Sequence, residues 1–247
     1  MLLLSLMAAA FAGPCRTVLA PTVHAQPDGP RCLTGAAATA MSLTQATPTP
    51  TELARRVKVT PHGIDPFDAQ RAGQDLGIEA LVFTGPPEAA ARLVEAGFAP
   101  VALVNRPGNT RHAVAVTGIE RGVDANGQCG TALTAIEAFD PFTNRRTWQT
   151  AQAFAAQQSA EQLMVFFDPD QREKLDDKGF PLTAAEAVDR RFRAQGWMNR
   201  ANAHPAPNAQ SVRLLKRAVD ADPEWATART ELERHTAAAD GKIELNP

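Results

Sequence analysis

Four polar residues have types and spacings that could support covalent catalysis by a thiol. Cys32 lies just before a small, apolar, helix-prone run at residues 36–41, and the positive end of a helix dipole favours a thiolate there. His112 begins a strand-like run and Asp140 ends another; a histidine can take the thiol proton while a carboxylate orients it. Gln26 precedes Cys32 by six positions and can donate a hydrogen bond to a developing oxyanion.

The overall composition indicates a globular protein with no footprint for nucleic acid. The chain has 247 residues, enough for one ordinary domain and a smaller one. Hydrophobic residues make up 44% and charged residues 21%, which is typical of folded domains. The net charge of -2 makes nucleic acid an unexpected partner. The sequence has neither a CxxC nor an HExxH motif, so we expect no metal and no other cofactor.

The N-terminus has the pattern of an export signal. Residues 2–12 form an apolar run that is too short to span a bilayer. Small-residue sites follow at Ala12 and Ala25, and we expect cleavage at one of them, with the segment 1–25 as the signal peptide. The mature protein is then expected to be periplasmic or secreted. Pro14 stands where a lipoprotein signal would place its cysteine, so a lipid anchor is not the expected outcome.

Each candidate site residue also has an ordinary structural explanation. In an oxidising compartment Cys32 could form a disulfide with Cys129. His112 could be a hydrogen-bonded core residue, and Asp140 could only open a turn, because Asp-Pro is a common turn dipeptide. Gln26 would be the exposed first residue if cleavage followed the small-residue site just before it.

The order of predicted elements is helices first and an antiparallel sheet afterwards, an α+β arrangement. Residues 26–168 form the predicted main domain. Four helices are expected, with a short strand at 79–85 between the third and the fourth. A buried strand at 99–105, a long hairpin whose tip spans residues 121–130, a helix and a last buried strand are expected to follow. The expected helices lie at 32–45, 50–57, 65–77 and 86–97, the hairpin strands begin at 112 and end at 140, and the last helix and strand lie at 147–158 and 163–168.

The C-terminal part of the sequence is helical after a charged stretch. Residues 169–181 read as a linker, and residues 182–240 carry a helical pattern interrupted at residues 204–208 and 222–225. The junction around Asp222-Pro223 resembles the helix-to-helix junction of a tetratricopeptide-type repeat. A plain helical hairpin is the alternative. We expect this segment to dock on the main domain or on a partner protein, with Trp225 as its anchor.

At residues 26–168 the chain resembles the double-glycine (bacteriocin-processing) peptidase-like family of papain-fold cysteine peptidases. Four features carry the resemblance: the spacing from Gln26 to Cys32, the segment TPTELARRV at 49–57, the pair GFAPVALV at 97–104 and HAVAVTG at 112–118, and Phe139-Asp140-Pro141.

This resemblance implies a papain-like fold and peptide or protein substrates. It implies a Cys32 nucleophile, a His112 base, an orienting Asp140 and an oxyanion donor at Gln26. The sequence Cys32-Leu33-Thr34-Gly35 departs from the family pattern. In an alternative register, Thr34 takes the nucleophile position and the protein is a catalytically inactive peptide- or protein-binding module. The sequence predicts no cleavage specificity.

Overall fold

The structure, a computed structural model, describes two units within residues 15–27, 30–61, 63–106, 110–177 and 180–240. The first, here called the main unit, comprises the described residues up to Ala80 and Thr84–Phe180. The second, here called the helical unit, comprises Leu81–Phe83 and the described residues from Pro181 onward. The apolar run at 2–12 and the cleavage site after Ala12 lie outside the described residues.

Local capping signals fix where the first helices begin. Thr49 caps its helix through a reciprocal box with Glu52, whose backbone N–H donates to the Thr49 hydroxyl at 3.2 Å. Asp65 caps the next helix by accepting the Phe67 N–H at 3.0 Å. Proline occupies the first turn of all but the first of these helices. The four helices are α1 (Cys32–Met41), α2 (Pro50–Arg56), α3 (Pro66–Gln74) and α4 (Pro87–Glu95).

One seven-stranded sheet forms the framework of the main unit, and β6 lies near its middle. Its strands are β1 (Arg16–Val18), β4 (Glu79–Thr84), β5 (Val101–Arg106), β6 (Thr110–Val123), β7 (Cys129–Asp140), β8 (Arg145–Thr150) and β9 (Gln158–Phe167). The strand order is β4-β9-β5-β6-β7-β8, with β1 also paired to β6. All the pairs with a described register are antiparallel. A small hairpin of two-residue strands, β2 (Val59–Thr60) and β3 (Gly63–Ile64), is not part of this sheet.

The predicted α+β class is therefore the observed one, but the prediction missed four strands, β1, β2, β3 and β8. Residues 147–158 were expected to be helical, but β8 occupies 145–150 and helix α5 (Ala151–Gln157) only follows it. The segment RRTWQT is rich in β-forming Thr and Trp, and pairing with β7 supplies its backbone hydrogen bonds. Thr150 then caps α5 by accepting the Ala153 N–H.

The charged stretch predicted as a linker folds as part of the main unit. It contains a 3₁₀ turn (Pro169–Gln171) and helix α6 (Arg172–Asp177). Leu175 is completely buried, and its side chain explains why a sequence of high charge is nevertheless ordered. The main unit reaches Phe180.

The N-terminal segment of residues 15–27, here called the strap, is tied to the sheet. β1 pairs with β6, and a disulfide joins Cys15 to Cys129. Arg146 donates to the carbonyl oxygens of Leu19 and Pro21 at 3.4 and 3.2 Å. Cleavage after Ala25 would remove all of these interactions.

From Pro181 onward, the described residues of the helical unit form three helices around a small core. They are α7 (Leu182–Asn202), α8 (Ala209–Ala221) and α9 (Ala226–Ala239). Four of the six fully or nearly buried core residues are alanines, and Trp225 packs against this core. No helix among the described residues is both long enough and apolar enough to cross a membrane.

Candidate active site

Cys32 lies at the N-terminal end of a helix buried inside the main unit. Arg31 before it has non-helical backbone angles, so α1 begins at Cys32. The nine residues that follow are all buried, and most are small, which lets the helix pack closely against β6. Cys32 itself is only partly buried. The thiol is thus accessible while held at the positive end of the helix dipole.

The sheet brings His112 and Asp140 together. His112 lies on β6, opposite Val104 of β5, and is 5% exposed. Asp140 is the last residue of β7, which pairs with the other edge of β6. His112 Nε2 and Asp140 Oδ1 are 2.7 Å apart. The Phe142 N–H donates to the same oxygen at 2.8 Å, so the carboxylate is fixed by the turn that follows it.

The Cys32 thiol lies beside the His112 ring, close enough for each group to shift the pKa of the other. Because Nε2 is engaged by Asp140, Nδ1 is the ring nitrogen that remains for the sulfur. Backbone groups of Ala113 and Leu33 also act on the thiol and lower its pKa. The sheet and the helix thus place a thiol, an imidazole and a carboxylate in sequence.

The environment shifts the pKa values of the three groups so that a charged pair is favoured. Burial alone would raise the pKa of Cys32, but the hydrogen bond and charge of His112 and the backbone hydrogen bonds outweigh it and lower that pKa. Burial alone would lower the pKa of His112, but its bonds to Asp140 and Cys32 raise it. Burial opposes the ionisation of Asp140, yet His112, the Phe142 N–H and the Arg106 charge hold its pKa well below the usual range. Both shifts favour a thiolate beside an imidazolium.

The backbone of Gln26 lies beside the turn that follows Asp140. Its N–H donates to the carbonyl oxygen of Pro141 at 2.8 Å. A Cβ atom added to Gly35 would come within 3.1 Å of the Gln26 nitrogen, so this backbone also contacts the first turn of α1. Gln26 is half-buried. The strap thus carries the fourth predicted residue to the end of the helix that holds Cys32.

The two competing interpretations of Cys32 do not agree with this geometry. The Thr34 side chain is 1% exposed, and its hydroxyl donates to the Arg31 carbonyl oxygen at 2.8 Å. Cys32, and not Thr34, is the residue whose side chain interacts with the His112 ring. The alternative disulfide is also corrected, because Cys129 is bonded to Cys15 and Cys32 is the free cysteine.

Two further residues surround the site and were not singled out as site residues by the sequence. Arg106, the last residue of β5, forms an ion pair with Asp140 Oδ2. Its guanidinium carbon lies 4.9 Å from the ring centroid of Phe142, and that ring meets His112 edge-on with centroids 6.4 Å apart. Arg106 and Asp140 are 34 positions apart on strands that both pair with β6, so no local pattern could link them.

Within the described residues, no group of three or more His, Cys, Asp and Glu side chains could hold a metal ion.

The sequence matches no protein-family model and no curated protein. Solved structures that are similar in fold include the peptidase domain of Streptococcus ComA, a bi-functional ABC transporter involved in a quorum-sensing pathway (TM-score 0.47, 14% identity, 59% of this chain and 96% of that chain). Another is a double glycine motif protease from an AMS/PCAT transporter in complex with the leader peptide (TM-score 0.45, 14% identity, 60% and 92%). A third is the peptidase domain of Streptococcus mutans ComA (TM-score 0.39, 13% identity, 58% and 97%). These three structural neighbours are peptidase domains or proteases of transporters, and each is similar to this chain over about three fifths of its length.

Proposed function

We propose that the protein is an exported cysteine peptidase that hydrolyses peptide bonds through Cys32, His112 and Asp140. The observation that carries the proposal is the 2.7 Å hydrogen bond between His112 Nε2 and Asp140 Oδ1, with the Cys32 thiol at the start of α1 beside the same imidazole. This arrangement joins a nucleophile, a proton carrier and an orienting carboxylate, which are the parts that covalent acyl transfer requires.

The first half of the reaction forms an acyl-enzyme. The Cys32 thiolate attacks the carbonyl carbon of the scissile peptide, and the electron pair of the C=O bond moves onto oxygen. The oxyanion collapses, the C–N bond breaks, and the His112 imidazolium gives its proton to the leaving amine. Asp140 holds the His112 ring in place through Nε2 and stabilises its charged form.

The second half releases the acid product. His112, now neutral, accepts a proton from a water molecule that attacks the thioester carbonyl carbon. The C–S bond breaks and the sulfur leaves as the thiolate beside the re-formed imidazolium. No redox step and no external proton donor is needed.

For oxyanion stabilisation we assign the Gln26 side chain and the Cys32 backbone N–H. The proposal is supported by the backbone position of Gln26, next to both the Asp140 turn and the first turn of α1. Donors aimed at the developing charge typically contribute about 10²- to 10³-fold in kcat. If Gln26→Ala lowers kcat by a factor in that range while the alkylation rate of the thiol is unchanged, then Gln26 acts on the oxyanion and not on the formation of the thiolate.

The substrate class is a peptide or protein, and the export route leads to the periplasm or the outside of the cell. Export is supported by the Cys15–Cys129 disulfide, since such bonds persist in oxidising compartments and are rare in the cytosol. Because the disulfide needs Cys15, we place signal cleavage before that residue. N-terminal sequencing of the mature protein tests this cleavage position. A mature chain that begins directly after Ala25 would refute it.

The decisive experiment is site-specific alkylation combined with a digest of a peptide library. All three cysteines of the chain are described, and two are disulfide-bonded, so an iodoacetamide probe reports Cys32 alone. We expect rapid labelling at mildly acidic pH, slow labelling in His112→Gln and none in Cys32→Ala, together with library cleavage only by the wild type. Rapid labelling without any cleavage would instead favour the peptide-binding module with an intact but unused site. Equal labelling of wild type and Cys32→Ala would exclude an activated Cys32 thiolate.

A further inference from the structure

The carboxylate of Asp140 is held on both of its oxygens. Oδ1 accepts from the Phe142 N–H and bonds to His112 Nε2. Oδ2 forms an ion pair with Arg106, whose side chain is less than one third exposed. A carboxylate held by only one oxygen could rotate about its C–C bond, so the Arg106 contact is the one that fixes the plane of the group.

Arg106 is itself held by an aromatic ring. Its guanidinium carbon lies 4.9 Å from the Phe142 centroid, within the range of a cation–π interaction. Phe142 also contacts His112 edge-on, at an interplanar angle of 84°. Phe142 keeps 62% of its surface exposed. Arg106, Phe142, His112 and Asp140 thus form a closed ring of contacts.

We propose that Arg106 is a positioning residue for the candidate active site, which holds the Asp140 carboxylate in the plane of the His112 ring and balances its charge. The inference rests on the proposed function, but it concerns a residue that the three-residue mechanism does not use. Arg106 does not touch the reacting atoms; it acts through Asp140.

The positive charge of Arg106 should lower the pKa of His112. The charged or titratable groups bonded to His112 or to its carboxylate partner come from three elements: Cys32 of α1, Asp140 of β7 and Arg106 of β5. Asp140 favours the imidazolium, and Arg106 offsets part of that negative charge. Removing Arg106 leaves Asp140 uncompensated, so the pKa of His112 should rise.

The test compares Arg106→Gln, Arg106→Lys and a matched control, Arg145→Gln, in the full-length protein. Arg145 is an exposed arginine whose Cα lies opposite Asp140 in the β7–β8 pairing. The His112 ring is titrated by NMR, with its resonance assigned from His112→Gln. We expect Arg106→Gln to raise the His112 midpoint by roughly half a unit to one unit, while Arg145→Gln stays at the wild-type value and Arg106→Lys returns most of the way to it.

Kinetics supply the second measurement, through a split between kcat and KM. A loss of carboxylate orientation lowers the rate of proton transfer and leaves substrate binding unchanged. We expect kcat to fall about tenfold in Arg106→Gln with KM within a factor of two, because Arg106 acts through Asp140 and controls only part of the roughly 10²- to 10⁴-fold that general acid–base catalysis contributes. Arg106→Lys should recover most of that loss.

The proposal is overturned if Arg106→Gln and Arg145→Gln both titrate as the wild type and only the melting temperature of Arg106→Gln changes, because that pattern describes a purely structural ion pair. The NMR titration does not need a substrate. If the protein cleaves no peptide but the His112 midpoint rises as expected, the proposed function fails and the positioning role of Arg106 stands.

Discussion

At the scale of single residues, the opposite pKa shifts of Cys32 and His112 predict the pH dependence of the reaction. The pKa of Cys32 is lowered and that of His112 is raised, and both shifts favour the thiolate–imidazolium pair that the proposed reaction uses. As pH falls through the Cys32 pKa the thiolate is protonated, and as pH rises through the His112 pKa the proton for the leaving amine is lost.

We therefore expect a bell-shaped profile of kcat/KM, whose two apparent pKa values belong to the coupled pair. The measurement is hydrolysis of one peptide substrate across the pH range. Asp140→Asn should lower the apparent pKa of the alkaline limb, because the charge that raises the His112 pKa is removed. The profile should therefore become narrower. A single rise centred near the pKa of an ordinary thiol, about 8.5, would contradict the ion pair.

Gly35 provides a second prediction at this scale, because its missing side chain lets three segments meet. A Cβ atom there would lie 2.6 Å from the Pro141 Cβ, 3.0 Å from the His24 carbonyl oxygen and 3.1 Å from the Gln26 nitrogen. None of these atoms is the flexible end of a long side chain. We expect Gly35→Ala to cost about 1–3 kcal/mol of unfolding free energy and to lower activity per folded molecule.

Gly73→Ala is the matched control for this substitution. It is also a buried helical glycine, but its added Cβ would meet only side-chain atoms of Met41 and Phe166, at 3.2 to 3.3 Å. Denaturant unfolding and thiol alkylation should show that Gly73→Ala keeps wild-type Cys32 reactivity. If Gly35→Ala did the same, the close approach of the three segments would not matter for the site.

At the scale of elements, the strap and the β6–β7 hairpin depend on each other through the disulfide. Cys15 and Cys129 are 114 positions apart, and a crosslink closing so long a loop is typically worth about 2–4 kcal/mol. The strap leads directly to Gln26 and then to Cys32. We expect the double variant Cys15→Ser/Cys129→Ser to lose stability in that range and to lose activity through Gln26.

Denaturant unfolding and steady-state kinetics of that double variant test the coupling. Arg146→Ala is the independent comparison, since it removes the side-chain bonds to the Leu19 and Pro21 carbonyl oxygens and leaves the disulfide in place. Both variants should lower kcat while the alkylation rate of Cys32 stays near that of the wild type. Lower stability with unchanged kcat would show that the strap only stabilises the main unit.

At the scale of the whole molecule, the C-terminal helices have a core, but a small one. Their fully or nearly buried residues are mostly alanines, with Leu215 and Met198 as the larger members. Trp225 packs against this cluster and stacks with Arg191, whose guanidinium carbon is 5.0 Å from a Trp225 ring centroid. So small an apolar area offsets little of the conformational entropy lost on ordering about 60 residues.

We therefore expect that a fragment of residues 182–240 has no cooperative thermal transition. Because Trp225 is only partly buried, we expect Trp225→Ala to destabilise the full-length protein by roughly 1–3 kcal/mol. Circular dichroism of the fragment and denaturant unfolding of the variant measure the two effects. A stable cooperative melt of the fragment would instead describe a free-standing helical domain.

Much of the local structure and the chemical identity of the candidate site followed from the sequence alone. The alternation of apolar residues in HAVAVTGIE predicts a strand, Thr49-Pro50 and Asp65-Pro66 predict helix starts, and all of these elements are observed. These signals work because capping and periodicity depend on neighbours within a few positions. The sequence alone likewise predicted a thiol at a helix start and a histidine and a carboxylate on later strands.

The tertiary structure alone decided which of those residues meet and what supports them. It paired Cys129 with Cys15 instead of Cys32, turned the Thr34 hydroxyl toward a backbone carbonyl, and added the strap to β6. It also placed Arg106 on the carboxylate of Asp140. Each of these contacts except the Thr34 bond joins segments separated by tens of residues or more, and their geometry is set by strand order and register, which no single segment of sequence specifies.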